Sequence, residues 1–227
     1  MPRTARAIVA NYCYHVINRG NKKATVFHER ADYEQFLALV ARAQKRLNLP
    51  LISACLMPNH IHLVVRPCHA DDLARWTHWT FTTHVRWHHA KYGTIGRVWQ
   101  GRFKAFASQS DHHLLTVMRY VERNALRAKL VERAEDWEWG SLAWRRAQLP
   151  PVALAESPAP LPSYWRHLVN EPQTAAELAE LRACVNRQRP FGDEEWVRQH
   201  VTSFGLEQSI RRVGRPSRSA LSPFASK

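Results

Sequence analysis

Apolar and polar residues alternate from Tyr12 to Asn18, with Cys13 and His15 on one side and Tyr14 and Val16 on the other, which is the period of a strand. The strand runs into Arg19-Gly20-Asn21-Lys22-Lys23, a turn loaded with positive charge. From Ala31 to Leu47 the spacing becomes helical, with Phe36, Leu37, Leu39, Val40 and Ala43 on the apolar side. Pro50 opens a short apolar run from Leu51 to Leu56. Pro58-Asn59 breaks it before a second run from His60 to Val65, so the two predict an antiparallel hairpin. Asp71 or Asp72 caps a helix to about Lys91, closed by Tyr92-Gly93. Phe103 to Ser108 reads as a strand, and Asp111 caps a helix carrying Leu114, Leu115, Met118 and Val121 to about Leu126. The order strand, helix, strand, strand, helix, strand, helix predicts an α+β fold: a ferredoxin-like antiparallel sheet backed by helices.

Prolines 150, 151, 158, 160 and 162 crowd a short stretch that reads as a linker. The expected organisation is a catalytic domain over 1–146, a proline-rich linker over 147–166 and a basic, mainly helical extension over 167–227. Helices are predicted there over 175–187 and 193–204. The end of the chain, Arg211-Arg212-Val213-Gly214-Arg215-Pro216-Ser217-Arg218, resembles the core of a minor-groove-binding hook. The simpler reading, a basic tail adding non-specific phosphate affinity, is preferred.

Charge narrows the partner. The 227 residues carry a net charge of +14 and nine tryptophans, while 45% hydrophobic residues supply a real core. Between Asp72 and Asp111 there is no acidic residue. That stretch interleaves Arg75, Arg86, Lys91, Arg97, Arg102 and Lys104 with Trp76, Trp79, Phe81, Trp87, Tyr92, Trp99, Phe103 and Phe106. Cations that follow a backbone and rings that stack on unpaired bases suit single-stranded nucleic acid. No apolar run approaches the roughly 20 residues that span a bilayer, and no signal peptide is expected. The four cysteines lack Cys-x-x-Cys spacing, which argues for a reducing compartment and against a zinc finger.

Two groups of residues carry chemistry. His60 and His62 are two apart on a strand and share a face, so they offer two imidazoles to a divalent metal; half-buried sheet histidines would give the same pattern. Tyr120 and Asn124 are one helical turn apart and face the same way. The Asn124 carbonyl can be a third, hard ligand for Mg²⁺ or Mn²⁺, and Tyr120 a nucleophile toward phosphorus once a metal or base assists it.

Four segments, Tyr14-His15-Val16-Ile17-Asn18-Arg19-Gly20-Asn21, Leu56-Met57-Pro58-Asn59-His60-Ile61-His62, Trp99-Gln100-Gly101-Arg102-Phe103 and Arg119-Tyr120-Val121-Glu122-Arg123-Asn124, occur in that order. Together, over roughly residues 10 to 145, they resemble the REP-associated tyrosine transposases, relatives of the single-tyrosine insertion-sequence transposases in the HUH single-strand endonuclease superfamily. The resemblance implies that His60, His62 and Asn124 hold the metal. It implies that Tyr120 cleaves hairpin-forming single-stranded DNA and stays on a 5′-phosphate, so that the strand can be rejoined elsewhere. A basic cradle is implied as well, for which the candidates are Arg19, Lys22, Lys23, Arg97, Trp99, Arg102, Lys104, Arg211, Arg212 and Arg215. The expected setting is the cytoplasm, at the nucleoid, with dimer and monomer both open. The chain departs from the family pattern in having Ala125 where Pro usually follows Asn124, and His112-His113 where an aromatic usually precedes the leucine pair. A proton-transfer role for His113 is conceivable; a surface histidine is the simpler reading. Alternatives are a catalytically silent DNA- or RNA-hairpin-binding protein and a hydrolase in which water attacks.

Overall fold

The structure, a computed structural model, describes residues 8–210. Its frame is a sheet of β1 (Cys13–Arg19), β2 (Leu51–Met57), β3 (His60–Val65) and β4 (Lys104–Ser108) in the order β2-β3-β1-β4, every neighbouring pair antiparallel. Helix α1 (Arg30–Leu47) joins β1 to β2, α2 (Asp72–Tyr92) joins β3 to β4, and α3 (His112–Glu122) follows β4. This is the ferredoxin-like plan that the periodicity predicts. Most ends shift by a residue, and one element differs more. The helix expected from Asp111 to Leu126 is divided at Arg123 into α3 and α4 (Asn124–Arg127). Arg123 relaxes to φ −83°, ψ −2°, yet its N–H still bonds Arg119 O and its carbonyl accepts from Arg127 N, both at 2.9 Å, so the helical path continues.

Strand alternation sorts the side chains into two cores. Tyr14, Val16, Leu56, Ile61, Leu63 and Val65 face α1 and α2, where they meet Phe36, Val40, Leu73 and Trp76. Cys13, Cys55, Met57, Val64 and Phe106 face α3, against Leu114, Val117, Met118 and Val121. Burying each large side chain stabilises the fold by roughly 1.5–3 kcal/mol. The same parity puts His60 and His62, in step with Val64, on the α3 side.

Asp32, buried at the start of α1, accepts hydrogen bonds from the Tyr92 hydroxyl and Lys91 at the end of α2 and from the backbone of His28 and Glu29. Gly93, in the left-handed region at φ 60°, then stops α2. Where β1 runs into the basic turn, an ideal Cβ on Gly20 would overlap the Ala24 carbonyl oxygen, so only glycine lets the turn fold back this tightly.

His84 of α2 is wholly buried among Phe27, Phe36 and Trp99, and neither ring nitrogen has a partner. Desolvation, with His88 nearby, pushes its pKa down to about 3. Below the ordinary value of 6.5 the unfolded chain takes up a proton that the folded chain refuses. Stability is therefore full above 6.5 and falls as the pH drops toward 3. His84→Leu should narrow the stability difference between about pH 7.5 and about pH 5 by about 2 kcal/mol, read by urea denaturation. An unchanged difference would show that His84 does not contribute to the acid limb.

Beyond α3 the chain wraps the sheet. Leu56 N donates to Trp139 O (2.9 Å), just before α5 (Ser141–Trp144), and Ala155 N donates to Leu51 O (2.7 Å), so this backbone lies along the outer strand β2. Val152 and Ala159 of the proline-rich stretch are buried. Helices α6 (Trp165–Asn170), α7 (Ala175–Arg187), α8 (Glu194–Ser203) and α9 (Glu207–Ile210) follow. Between α7 and α8, Phe191 bridges Ser108 on the opposite outer strand, β4, in parallel sense. Its N–H donates to Ala107 O at 2.8 Å and its carbonyl accepts from Gln109 N at 2.9 Å. Tyr12, ahead of β1, meets His200 of α8 edge-on at 4.6 Å between ring centroids.

Candidate active site and nucleic-acid interface

The site forms where β3 passes under the last turn of α3. His60 and His62 present their rings at 81° to one another, centroids 4.9 Å apart. Each Nδ1 is engaged. His60 Nδ1 lies 2.6 Å from Asn59 Oδ1, and the Asn59 amide nitrogen donates to Lys23 O (3.1 Å), pinning the β2–β3 turn to the basic turn after β1. His62 Nδ1 lies 2.8 Å from Nε2 of His15 on β1. The edge that remains for a ligand on each ring is Nε2.

Tyr120 is 8% exposed and stands edge-on to His62 and His15, at 5.7 Å and 6.0 Å between centroids. One turn on, the Asn124 side chain pulls the His60 pKa up, and its Nδ2, buried, has no partner. The Arg127 guanidinium lies 4.2 Å from the Tyr120 ring centroid. The structure thus brings His60, His62, Tyr120 and Asn124 together. It adds His15, Arg127 and Asn59, to which periodicity had assigned no role.

Burial sets the protonation of the rings. Desolvation, then Arg127 and His60, drives the His15 pKa down to about 3. Desolvation, then Arg19 and Arg127, takes His60 to about 4, against the opposing pull of the Asn124 side chain. His62 lies well below 6.5 through desolvation, His60 and His15. All three rings are neutral at pH 7, the form that ligates a metal. Two imidazole nitrogens with an amide oxygen are a donor set that a divalent cation can use. Among the described residues Asp111, His112 and His113 also gather ligand atoms within 4.8 Å of one another. That cluster sits at the start of α3, where Asp111 Oδ1 already accepts from His113 N (2.8 Å) and meets its ring (2.9 Å).

A cavity of about 820 Å³ opens between α2 and residues 96–103, with Phe81, Val85 and Trp99 among its apolar lining and Arg86, Arg97 and Arg102 at its edges. Arg97 and Arg102 are exposed and form no ion pair among the described residues. Trp99 is 5% exposed and packs against Phe27, Phe36, Phe81 and His84, so it is cavity wall and core rather than a free ring. Lys22, Lys23 and Lys104 are exposed and Arg19 is half-buried beside His60. Arg211, Arg212 and Arg215 lie outside the described residues.

A sheet of this order, with paired strand histidines under a helical tyrosine, is the arrangement of HUH-type transposases. The chain belongs to the family of IS200-like transposases, whose model matches residues 8–124, and it is a transposase-type, DNA-processing protein. Its fold is also that of a REP-associated tyrosine transposase solved bound to a REP hairpin. The identity there is 14% and the TM-score 0.54, over 69% of this chain and 93% of that one. A candidate transposase from Deinococcus radiodurans R1 aligns at 16% identity and a TM-score of 0.37, over 53% and 95%. The comparison with curated proteins gives no match. A divalent metal is the cofactor that this class of site suggests. No helix among the described residues is long and apolar enough to cross a membrane.

Proposed function

We propose that the protein is a metal-dependent single-strand DNA endonuclease and strand transferase acting on hairpin-forming repeats, with Tyr120 as nucleophile. The observation that carries this reading is the convergence of Tyr120, Asn124 and the two strand histidines on one face of the sheet, with each histidine Nδ1 already engaged. His60, His62 and Asn124 would hold the metal, which when bound polarises the scissile phosphate. Tyr120 Oη attacks phosphorus and loses its proton. The bond from phosphorus to the 3′ oxygen breaks, that oxygen takes up a proton, and the tyrosine is left on the 5′-phosphate. The phosphotyrosine keeps the ester, so a second 3′-hydroxyl can reverse the step on another strand. Arg127, against the Tyr120 ring, and Arg19, beside His60, supply positive charge where the phosphate must sit.

The apolar cavity edged by Arg86, Arg97 and Arg102 suits an unpaired base with its phosphates, and Lys22, Lys23 and Lys104 extend the basic surface. Arg102→Ala should weaken hairpin binding about tenfold and lower the slope of log affinity against log salt by about one, measured by fluorescence anisotropy. An unaltered slope would remove Arg102 from the interface.

The reading itself is tested with end-labelled hairpin DNA and Mg²⁺ or Mn²⁺ on a denaturing gel. A DNA–protein adduct that disappears on chelation is the expected result. Tight binding with neither adduct nor cleavage would favour the binding-protein alternative, and cleavage without adduct a water nucleophile.

A further inference from the structure

We infer that His15 is a positioning residue: by accepting a hydrogen bond from His62 Nδ1 it fixes the tautomer that turns His62 Nε2 toward the metal. The inference rests on the metal reading above. His15 lies on β1 opposite Val64, and His62 lies opposite Ile17, so the two histidines are diagonal neighbours on the α3 face. Their rings are parallel within 4°, with centroids 5.0 Å apart and facing nitrogens 2.8 Å apart. Those distances leave about 1 Å between each centroid and its nitrogen, which is the ring's own radius. The rings therefore meet edge to edge, joined by a nearly linear hydrogen bond, rather than stacking face to face.

A neutral imidazole carries one N–H. If His62 Nε2 is to offer a lone pair, its proton must be on Nδ1, and His15 Nε2 must then be the acceptor. The opposite arrangement, with His15 donating, places a proton on His62 Nε2 and closes that ligand position. Ligating histidines are commonly oriented this way by a carboxylate or carbonyl; here a third imidazole serves. Asn59 Oδ1 stands in the same relation to His60, so both candidate ligands have their outer nitrogens engaged in the same manner.

Packing alone does not account for His15. It is 1% exposed, its Nδ1 has no partner, and it sits edge-on to Phe106 and Tyr120. A phenylalanine would fill that space without an unmatched polar atom. What only a polar side chain supplies is the acceptor.

The experiment compares Mn²⁺ binding, by calorimetry and by electron paramagnetic resonance of free Mn²⁺, in the full-length protein and in His15→Phe, His15→Gln and His62→Ala. Long-range ¹⁵N–¹H NMR of the metal-free wild type reads the His62 tautomer directly. His15→Phe should bind Mn²⁺ ten- to a hundredfold more weakly with its melting temperature preserved. His15→Gln, whose side-chain carbonyl can accept the same bond, should recover most of the affinity, and His62 should carry its proton on Nδ1. Wild-type affinity in His15→Phe, with binding lost in His62→Ala, would overturn the role of His15 and leave the metal site standing. Mn²⁺ binding indifferent to His62→Ala would overturn both. A His62 proton on Nε2 in the wild type would likewise refute the assignment of His15.

Discussion

Tyr120→Phe is expected to abolish the covalent DNA–protein adduct while leaving hairpin affinity within a factor of about two. The loss in strand cleavage should be on the order of a thousandfold or more, as for removal of any sole nucleophile. The structure makes this a clean substitution. The ring's contacts are edge-on to His15 and His62 and face-on to Arg127, all of which phenylalanine keeps. Only the hydroxyl goes. Residual cleavage above about a tenth of the wild-type rate would pass the nucleophile's role to water.

The largest effect on stability is expected two residues further along the same helix. The Glu122 side chain is fully enclosed. Its Oε1 accepts from Ser53 Oγ on β2 (3.1 Å), Ser141 Oγ on α5 (2.7 Å) and Arg145 (3.1 Å), and its Oε2 from the Trp165 indole on α6 (2.7 Å). One carboxylate thus fastens the tyrosine helix to the sheet, to the wrapping segment and to the extension. Glu122→Ala would strand several donors and an arginine in the interior, costing about 3–5 kcal/mol. For a chain of this size that corresponds to a fall in melting temperature on the order of 10 °C, read by calorimetry. Trp165→Phe, which deletes one of these bonds and keeps the bulk, should cost only about 1–2 kcal/mol. Equal losses in the two variants would mean that the carboxylate is not the hub.

Much of the frame was legible in sequence because each element announces itself locally. The alternation at Tyr12–Asn18, the spacing from Phe36 to Ala43 and the Pro58-Asn59 break all lie within one element or one turn. His60 and His62 were legible for the same reason: both candidate ligands sit on a single strand, and their shared face follows from its period. Tyr120 and Asn124 share a face through the helical period.

His15 and Arg127 were not legible as site residues. The first reaches His62 through the β1–β3 register and the second folds back over Tyr120, and neither relation is a spacing along the chain. The basic, aromatic stretch of α2 and beyond was ambiguous in a different way. Composition counts rings without saying which way they point, and the fold commits Trp76 and Trp99 to the interior while leaving Trp79 and Trp87 half-exposed. The proline-rich stretch reads as a spacer because its residues make poor helices and strands. Its Ala155 amide nonetheless finds a partner on β2 and its Ala153 carbonyl one on α1, a choice dictated by the sheet and helix rather than by the stretch itself.

The wrapping of the sheet has a consequence for how copies of this protein can meet. Among the described residues both outer strands are bonded to irregular backbone: β2 to residues near Trp139 and Ala155, and β4 to Phe191. A bare outer strand is a template on which a second chain can lay a strand of its own, and proteins rich in sheet commonly suffer aggregation by that route. Here the template is occupied on either side by the chain's own later residues. Two copies of this protein that met would therefore associate through side chains rather than by continuing one sheet into the next, and a protein caught half-folded, before residues 139–191 have docked, would be the form most prone to sticking.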